Sequence, residues 1–273
     1  MNPFRHLLRA AGAQTPIGTW LMSASPLVAE AVGHAGFDFA VIDMEHSPLE
    51  LHGVVQMLQA IGNTKMQPVV RVPWNEPVGV KRVLDAGAVT LLFPFVQDAR
   101  EAAAAVAATR YPPHGVRGMA NYTRATRYGT RADYVQAAAH EVGVIVQLET
   151  PEALDALDAI AAVKGVDALF VGPADLSAAL GHPGQTMHPA VMQRMTRAAQ
   201  RAAELGMPIG TIGGDARSVA QYRAAGFTFV ALGADIGLLM HGAQAALSGL
   251  RGRSDHVDVH TLADGTVLSA QKG

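Results

Sequence analysis

The stretch Val142-Gly143-Val144-Ile145-Val146-Gln147-Leu148-Glu149-Thr150-Pro151 decides the fold, because a nearly continuous apolar run stops at a carboxylate and a proline. A strand covered on both faces reads this way, and the proline suits the first turn of a crossover helix. Ala168-Leu169-Phe170-Val171-Gly172-Pro173-Ala174-Asp175 repeats the design one helix later. Working outward from this pair, further strands are predicted at Ile17 to Met22, Phe39 to Met44, Pro68 to Val72, Val89 to Phe95, Met207 to Ile212 and Phe227 to Gly233. Helices of 3.6-residue period fit between them at Glu50 to Ile61, Pro77 to Asp85, Asp98 to Arg110, Pro151 to Val163, Pro189 to Leu205 and Asp215 to Ala224. Several end before glycine, as at Asp85 before Gly87 and Leu205 before Gly206, which is the usual stop chemistry. Eight strand and helix units favour an α/β fold of the closed (β/α)8 TIM-barrel type; an open doubly wound sheet stays possible.

A chain of 273 residues with 49% hydrophobic residues can bury a substantial core as one domain, expected over residues 1–251, with a polar tail over 252–273. The net charge is -2 and the basic residues are scattered, so neither nucleic acid nor an anionic membrane is an expected partner, and a small molecule is. The chain has no cysteine, which removes disulfides, thiolate catalysis and cysteine-ligated metal sites. No signal peptide or bilayer-length apolar run is visible, so the cytoplasm is the expected compartment. One long excursion, Tyr111 to His140, interrupts the alternation after the fourth strand, and functional loops are usually the long ones.

Active sites of such barrels form at the C-terminal ends of the strands. The second strand ends in Asp43-Met44-Glu45-His46, the third in Arg71, the fifth in Gln147-Leu148-Glu149 and the sixth in Gly172-Pro173-Ala174-Asp175. Two carboxylates from adjacent strands make an oxygen-rich site suited to Mg²⁺ or Mn²⁺, with Co²⁺ tolerable and zinc a weaker fit. The turn at Gly172 to Asp175 opens a short helix whose free N–H groups could hold a carboxylate or phosphate, and Arg71 offers a planar fork for an oxyanion. His46 is the one histidine of 11 that the predicted strands put at this end, and its ordinary pKa suits proton transfer near neutrality. The four lysines, Lys65, Lys81, Lys164 and Lys272, fall before a strand, inside a helix, after a helix and in the tail, so a Schiff base is not expected.

Each residue also has a plainer reading. Asp43 or Asp175 alone is more often a helix N-cap than a ligand. Glu149, directly after an apolar run, resists such a reading, since a buried carboxylate needs a metal, an arginine or a proton. His34, His140, His241, His256 and His260 read as surface or packing residues and the methionines as core filler. His182 and His188 flank a Gly-Pro loop, where loop structure is the stronger reading.

At these residues the sequence resembles the class II pyruvate aldolases of the HpcH/HpaI family over roughly residues 15–250. The likeness rests on Gly18-Thr19-Trp20-Leu21, Ile42-Asp43-Met44-Glu45-His46-Ser47-Pro48, Pro68-Val69-Val70-Arg71, Leu84-Asp85-Ala86-Gly87-Ala88 and Arg110-Tyr111-Pro112-Pro113-His114-Gly115-Val116-Arg117-Gly118. It continues in Gln147-Leu148-Glu149-Thr150, Gly172-Pro173-Ala174-Asp175-Leu176-Ser177 and Gly181-His182-Pro183-Gly184. The resemblance implies a pyruvate-type barrel in which Glu149 and Asp175 bind the divalent metal and Gln147 with the backbone around Ala174 holds pyruvate. It further implies His46 as the base, Asp85 raising its basicity, and Arg71 stabilising charge in the transition state. Asp43 is counted among the catalytic residues, and Gly172, Pro173, Asp175 and Trp20 among those that bind substrate. A trimer of dimers is implied too, its last barrel helix, here Gly237 to Leu250, exchanged between subunits and each site completed by a neighbour. Met44 departs from the family, standing where a glycine is common, and the tail after Gly252 has no family counterpart.

The expected reaction is reversible cleavage of a 4-hydroxy-2-oxoacid to pyruvate and an aldehyde, with the metal in place of a Schiff-base lysine. A metal-dependent 2-oxoacid decarboxylase acting on oxaloacetate, a coenzyme-A thioester lyase and a non-catalytic ligand-binding barrel are the alternatives. The aldehyde is expected to be chosen by loops such as Gly115 to Thr130, with Arg117, Arg124 and Arg127 as candidates.

Overall fold

The computed structural model describes residues 2–12 and 14–251, so the expected tail over 252–273, Lys272, His256 and His260 lie outside the described residues. Eight strands, β1 (Ile17–Leu21), β2 (Phe39–Asp43), β3 (Gln67–Arg71), β4 (Thr90–Phe93), β5 (Gly143–Leu148), β6 (Ala168–Val171), β7 (Ile209–Gly213) and β8 (Phe229–Ala234), close into one barrel in chain order. Every neighbouring pair is parallel, including β8 with β1. All eight predicted strands form, and the closed barrel replaces the open-sheet alternative.

The helices are α1 (Pro3–Ala10), α2 (Pro26–His34), α3 (Leu51–Ile61), α4 (Pro77–Asp85), α5 (Ala99–Ala108), α6 (Tyr134–Glu141), α7 (Pro151–Asp155) and α8 (Leu157–Ala161). They continue with α9 (Pro173–Ala179), α10 (Pro189–Glu204), α11 (Ala216–Ala225) and α12 (Asp235–Arg251). Proline at the first turn together with a capping side chain sets several starts. Ser25 accepts from the Val28 N–H, Glu76 from Val78 and Gly79, and Thr150 from Ala153. The single helix predicted over Pro151 to Val163 is two short ones, because the backbone of Ala156 leaves the helical region at ψ 3°.

Period-two alternation sorts each strand between two cores. Residues facing outward pack under the helices, among them Val70, Leu91, Val144, Val146, Leu169 and Val171. Residues facing inward, Trp20, Phe39, Val41, Val69, Leu92, Ile145, Phe170 and Phe229, fill the barrel itself. A Cβ on Gly18 would lie 2.4 Å from the Phe39 ring, so glycine there makes room for the phenyl group. Each fully buried side chain of this size contributes about 1.5–3 kcal/mol.

The N-terminal end of the barrel is closed by α1, which the sequence reading did not include. Phe4 meets Phe39 and Phe229 edge to face at 5.6 and 5.3 Å, and Arg5 makes a two-pronged ion pair with Asp167 at 2.6 and 2.8 Å. The C-terminal end is therefore the open mouth. In contrast, α12 departs from the barrel after β8 with Leu239 65% and Leu250 85% exposed. Among the described residues, no helix is long and apolar enough to cross a membrane.

Candidate active site

The inward parity that fills the barrel with apolar groups continues one step further and delivers polar ones. Val41 is followed inward by Asp43, Val69 by Arg71, and Ile145 by Gln147 and then Glu149. Arg71 grips Asp43 with two parallel bonds, Nε to Oδ1 at 2.9 Å and Nη2 to Oδ2 at 2.7 Å, and its guanidinium lies 5.5 Å from the centre of the Trp20 ring. Asp43 is completely buried and thus compensated. Its Oδ1 also accepts the N–H groups of Glu45 at 2.9 Å and His46 at 3.3 Å, and Ser47 Oγ donates to its carbonyl. Asp43 therefore braces a turn rather than a helix N-terminus, since α3 starts only at Leu51 behind Glu50, and that turn presents Glu45 and His46 to the mouth.

Glu45 closes on the other side of Arg71, with Oε2 2.8 Å from Nη1. Oε2 thus has a Coulombic partner but no hydrogen bond. Burial pushes the Glu45 carboxyl above its ordinary range, and Arg71 opposes this. His46 Nε2 stands 3.9 Å from Glu45 Oε1, and the His46 side chain is 59% exposed, free to meet a substrate.

Glu149 sits deeper. Phe95 donates its backbone N–H to Oε2 at 2.8 Å and Gln147 Nε2 donates to Oε1 at 3.1 Å. Burial pushes its carboxyl up to about 7, the Phe95 hydrogen bond opposes that, and the charges of Asp175 and Glu45 add to the rise. Gly172 makes the position possible, since a Cβ there would fall 2.3 Å from Glu149 Oε1. Asp175 is the third residue of α9, exposed at the mouth, while Gly172 occupies the N-cap position; Asp175 is thus no cap. Gln147 leaves its Oε1 buried without a partner.

These groups suit a cation. Three carboxylates, Glu45 just after β2, Glu149 just after β5 and Asp175 in α9, influence one another, the most buried of them resists ionisation, and all the donors are hard oxygens of the kind that Mg²⁺ and Mn²⁺ prefer. Among the described residues no group of three His, Asp or Glu side chains is arranged as a complete ligand set. An ion held by two side-chain carboxylates alone would take its remaining ligands from substrate or water oxygens.

Other predicted positions are not brought to the mouth. Asp85 ends α4, just ahead of β4, at the N-terminal rim; there Oδ1 accepts from Nη2 of the buried Arg117 at 2.9 Å. Arg117 is stacked against Tyr111 at 4.6 Å and donates to the Tyr134 hydroxyl at 3.1 Å. The long excursion joins α5 to β5 and so belongs to that same rim, with Arg124 donating to the Ala86 carbonyl at 3.3 Å. Lys65 precedes β3, Lys81 lies within α4 and Lys164 follows α8. His182 and His188 stack at 3.5 Å, and His188 Nδ1 accepts from the Ala190 N–H as the cap of α10, which is loop structure.

Two site residues escaped the sequence reading. Glu45 lay within the quoted Asp43 to His46 stretch but had no assigned role, and its proximity to His46 was its signal. Phe95 had none, because a left-handed backbone at a non-glycine residue, φ 55°, leaves no mark in the sequence.

Comparison with known proteins agrees with this architecture. A model of the HpcH/HpaI aldolase/citrate lyase family matches residues 16–242. The chain is 48% identical to a 2-dehydro-3,6-dideoxy-6-sulfogluconate aldolase of Pseudomonas putida over 238 residues, covering 87% of this chain and 93% of the relative. It is 47% identical to a pyruvate aldolase of Rhizobium etli, covering 90% and 96%. The crystal structure of an HpcH/HpaI aldolase/citrate lyase family protein from Burkholderia cenocepacia J2315 superposes with a TM-score of 0.88 at 43% identity, covering 92% of this chain and all of that one.

Proposed function

The chain belongs to the HpcH/HpaI aldolase/citrate lyase family, and from that premise we propose that it is a divalent-metal-dependent aldolase. It reversibly cleaves a 4-hydroxy-2-oxoacid to pyruvate and an aldehyde, as a single cytoplasmic barrel domain over residues 1–251. The similarity to a sulfogluconate aldolase favours a sugar-acid substrate. The observation that carries the proposal is the meeting of Glu149, its carboxyl pushed up to about 7, with the charges of Asp175, Glu45 and Arg71 at the barrel mouth.

Glu149 and Asp175 would hold Mg²⁺ or Mn²⁺, with Co²⁺ acceptable. When bound, the ion supplies Lewis acidity toward the 2-oxo group and a positive charge beside the developing enolate. Gln147 and the backbone of Gly172, Pro173 and Ala174 orient pyruvate, and Trp20 floors the pocket. His46 takes the proton of the 4-hydroxyl, the C3–C4 bond breaks to release the aldehyde, and C3 of the enolate is then protonated. Arg71, held rigid between Asp43 and Glu45, offers a fixed positive fork to the charge that develops. Synthesis reverses these steps.

Asp85 gives the assembly its argument. Its proposed partner His46 lies at the opposite end of the same barrel, so the pair forms only if a second copy of the chain brings its N-terminal rim to this mouth. The exposed Leu238, Leu239, Met240, Leu247 and Leu250 on α12 support the same reading: a trimer of dimers in which α12 is exchanged. An assay of 2-oxoacids with Mg²⁺, Mn²⁺ and Co²⁺, read out as pyruvate and aldehyde, tests the activity. Pyruvate formed from oxaloacetate alone, with no aldehyde from any 4-hydroxy-2-oxoacid, would make the chain a decarboxylase instead.

A further inference from the structure

Where β4 leaves the barrel, the backbone does something an extended strand cannot. The N–H of Phe95 reaches Glu149 Oε2 at 2.8 Å, and the N–H of the very next residue, Val96, reaches the carbonyl of Gln147 at 3.0 Å. In a strand, successive N–H groups point to opposite sides. Here both turn toward the exit of β5, because Phe95 takes a left-handed conformation with φ 55°. Consecutive N–H groups gathered by such a bend form a small concavity suited to an anion, and the Glu149 carboxylate occupies its first donor. Gln97 fixes the far side of the bend by accepting from Thr150 Oγ at 2.6 Å, one residue beyond Glu149.

A left-handed backbone is unfavourable for any residue with a Cβ, and glycine would adopt it freely. Phenylalanine at this position therefore implies that its side chain secures the bend. The Phe95 ring does have an anchor: it stacks on Trp74, 6.3 Å between centroids at an interplanar angle of 26°. Trp74 is 57% exposed and Phe95 38%, and neither belongs to the hydrophobic core clusters. Trp74 follows β3 by three residues, and the stack thus ties the β3 exit to the β4 exit directly beside Glu149.

We propose that Trp74 is a positioning residue that acts through Phe95: its ring pins the left-handed bend that aims the Phe95 N–H at Glu149, and so sets how well Glu149 is presented to a divalent cation. The inference rests on the reading of Glu149 as a metal ligand. Trp74 touches neither substrate nor ion; removing it releases the bend, and Glu149 then samples orientations that do not face Asp175.

The test is Mn²⁺ titration calorimetry on the full chain, with thermal melting and hydrogen exchange at the Phe95 amide alongside. Trp74→Ala is expected to weaken Mn²⁺ binding by about three- to tenfold, the fold-change that matches the loss of one aromatic stack. It should also speed exchange at Phe95 and leave the melting temperature near that of the unaltered chain. Trp74→Phe should recover most of the affinity. Phe95→Gly, which keeps the N–H and accepts the bend but loses the anchor, should resemble Trp74→Ala. Unaltered protein that binds Mn²⁺, combined with Trp74→Ala and Phe95→Gly variants that bind it equally well, would overturn the inference alone. Unaltered protein that binds no Mn²⁺ would overturn the metal reading and the inference with it.

Discussion

A Cβ on Gly172 would lie 2.3 Å from Oε1 of Glu149 and 2.8 Å from its Cγ, so the Glu149 carboxylate occupies space that only glycine leaves open. Gly172→Ala is expected to push Glu149 off its hydrogen bonds with Phe95 and Gln147. Mn²⁺ affinity should fall about 10- to 100-fold, the usual cost of disturbing the support of a metal ligand, while the circular dichroism of the barrel stays unchanged. Calorimetry on the folded variant decides it, and undiminished affinity would remove Gly172 from the account.

The raised pKa of Glu149 has a definite pH consequence. Its carboxyl moves from an ordinary 4.5 to about 7, so between these values the folded, metal-free chain holds a proton that the unfolded chain has released. The stability due to this group is fully present below about 4.5 and is lost as pH rises through about 7. A cation competes with that proton. Mn²⁺ binding should strengthen as pH rises toward 7, releasing about one proton at pH 6 and little at pH 8. Calorimetry in buffers of differing ionisation enthalpy measures the proton count; equal release at both pH values would contradict the assignment.

His46 and Arg71 should fail differently. His46 is exposed, so His46→Ala should melt normally and keep Mn²⁺ and pyruvate binding while turnover falls by about 10² to 10⁴. Arg71→Lys should lose about 10²-fold or more in turnover despite its retained charge, and should also melt lower, because an ammonium cannot return both bonds to the buried Asp43. Steady-state kinetics beside melting separates the two. A normally folded His46→Ala enzyme near the unaltered rate would refute the base assignment.

Asp85 serves its own chain and, in the proposed assembly, a neighbour. Asp85→Ala leaves the buried Arg117 without its carboxylate and should cost about 3 kcal/mol of stability, whereas Asp85→Asn keeps an acceptor for Arg117 and should fold. If Asp85 reaches the His46 of another copy, assemblies co-expressed from Asp85→Asn and His46→Ala chains will contain sites with both groups intact. Activity above that of either parent is the expected result. Mixtures no better than their parents would remove Asp85 from the site.

How much of this could be read in the sequence depended on parity and on locality. Every strand was legible because doubly covered strands are apolar throughout, and period two then carried Asp43, Arg71, Gln147 and Glu149 to one inward rim. Helix α1 was missed because its work is done at a distance: Phe4 and Arg5 contact residues that lie far along the chain, and no local pattern announces a plug. The excursion from Tyr111 to His140 reads as a functional loop by its length, and the connection from α5 to β5 puts it at the N-terminal rim, where the buried Arg117 packs against Tyr111 and Tyr134. The bend at Phe95 and the clearance at Gly172 are backbone and packing facts, and composition does not encode them.

The central claim is a metal ion held by Glu149 and Asp175 in place of a Schiff-base lysine, and the most direct test is pyruvate release from a 4-hydroxy-2-oxoacid by EDTA-stripped protein titrated with Mn²⁺. The account predicts no release before Mn²⁺ is added, a rate that saturates at about one ion per chain, and no recovery in Glu149→Ala or Asp175→Ala. Full activity in EDTA, with a borohydride-reduced pyruvyl adduct on Lys65, Lys81 or Lys164, would contradict it.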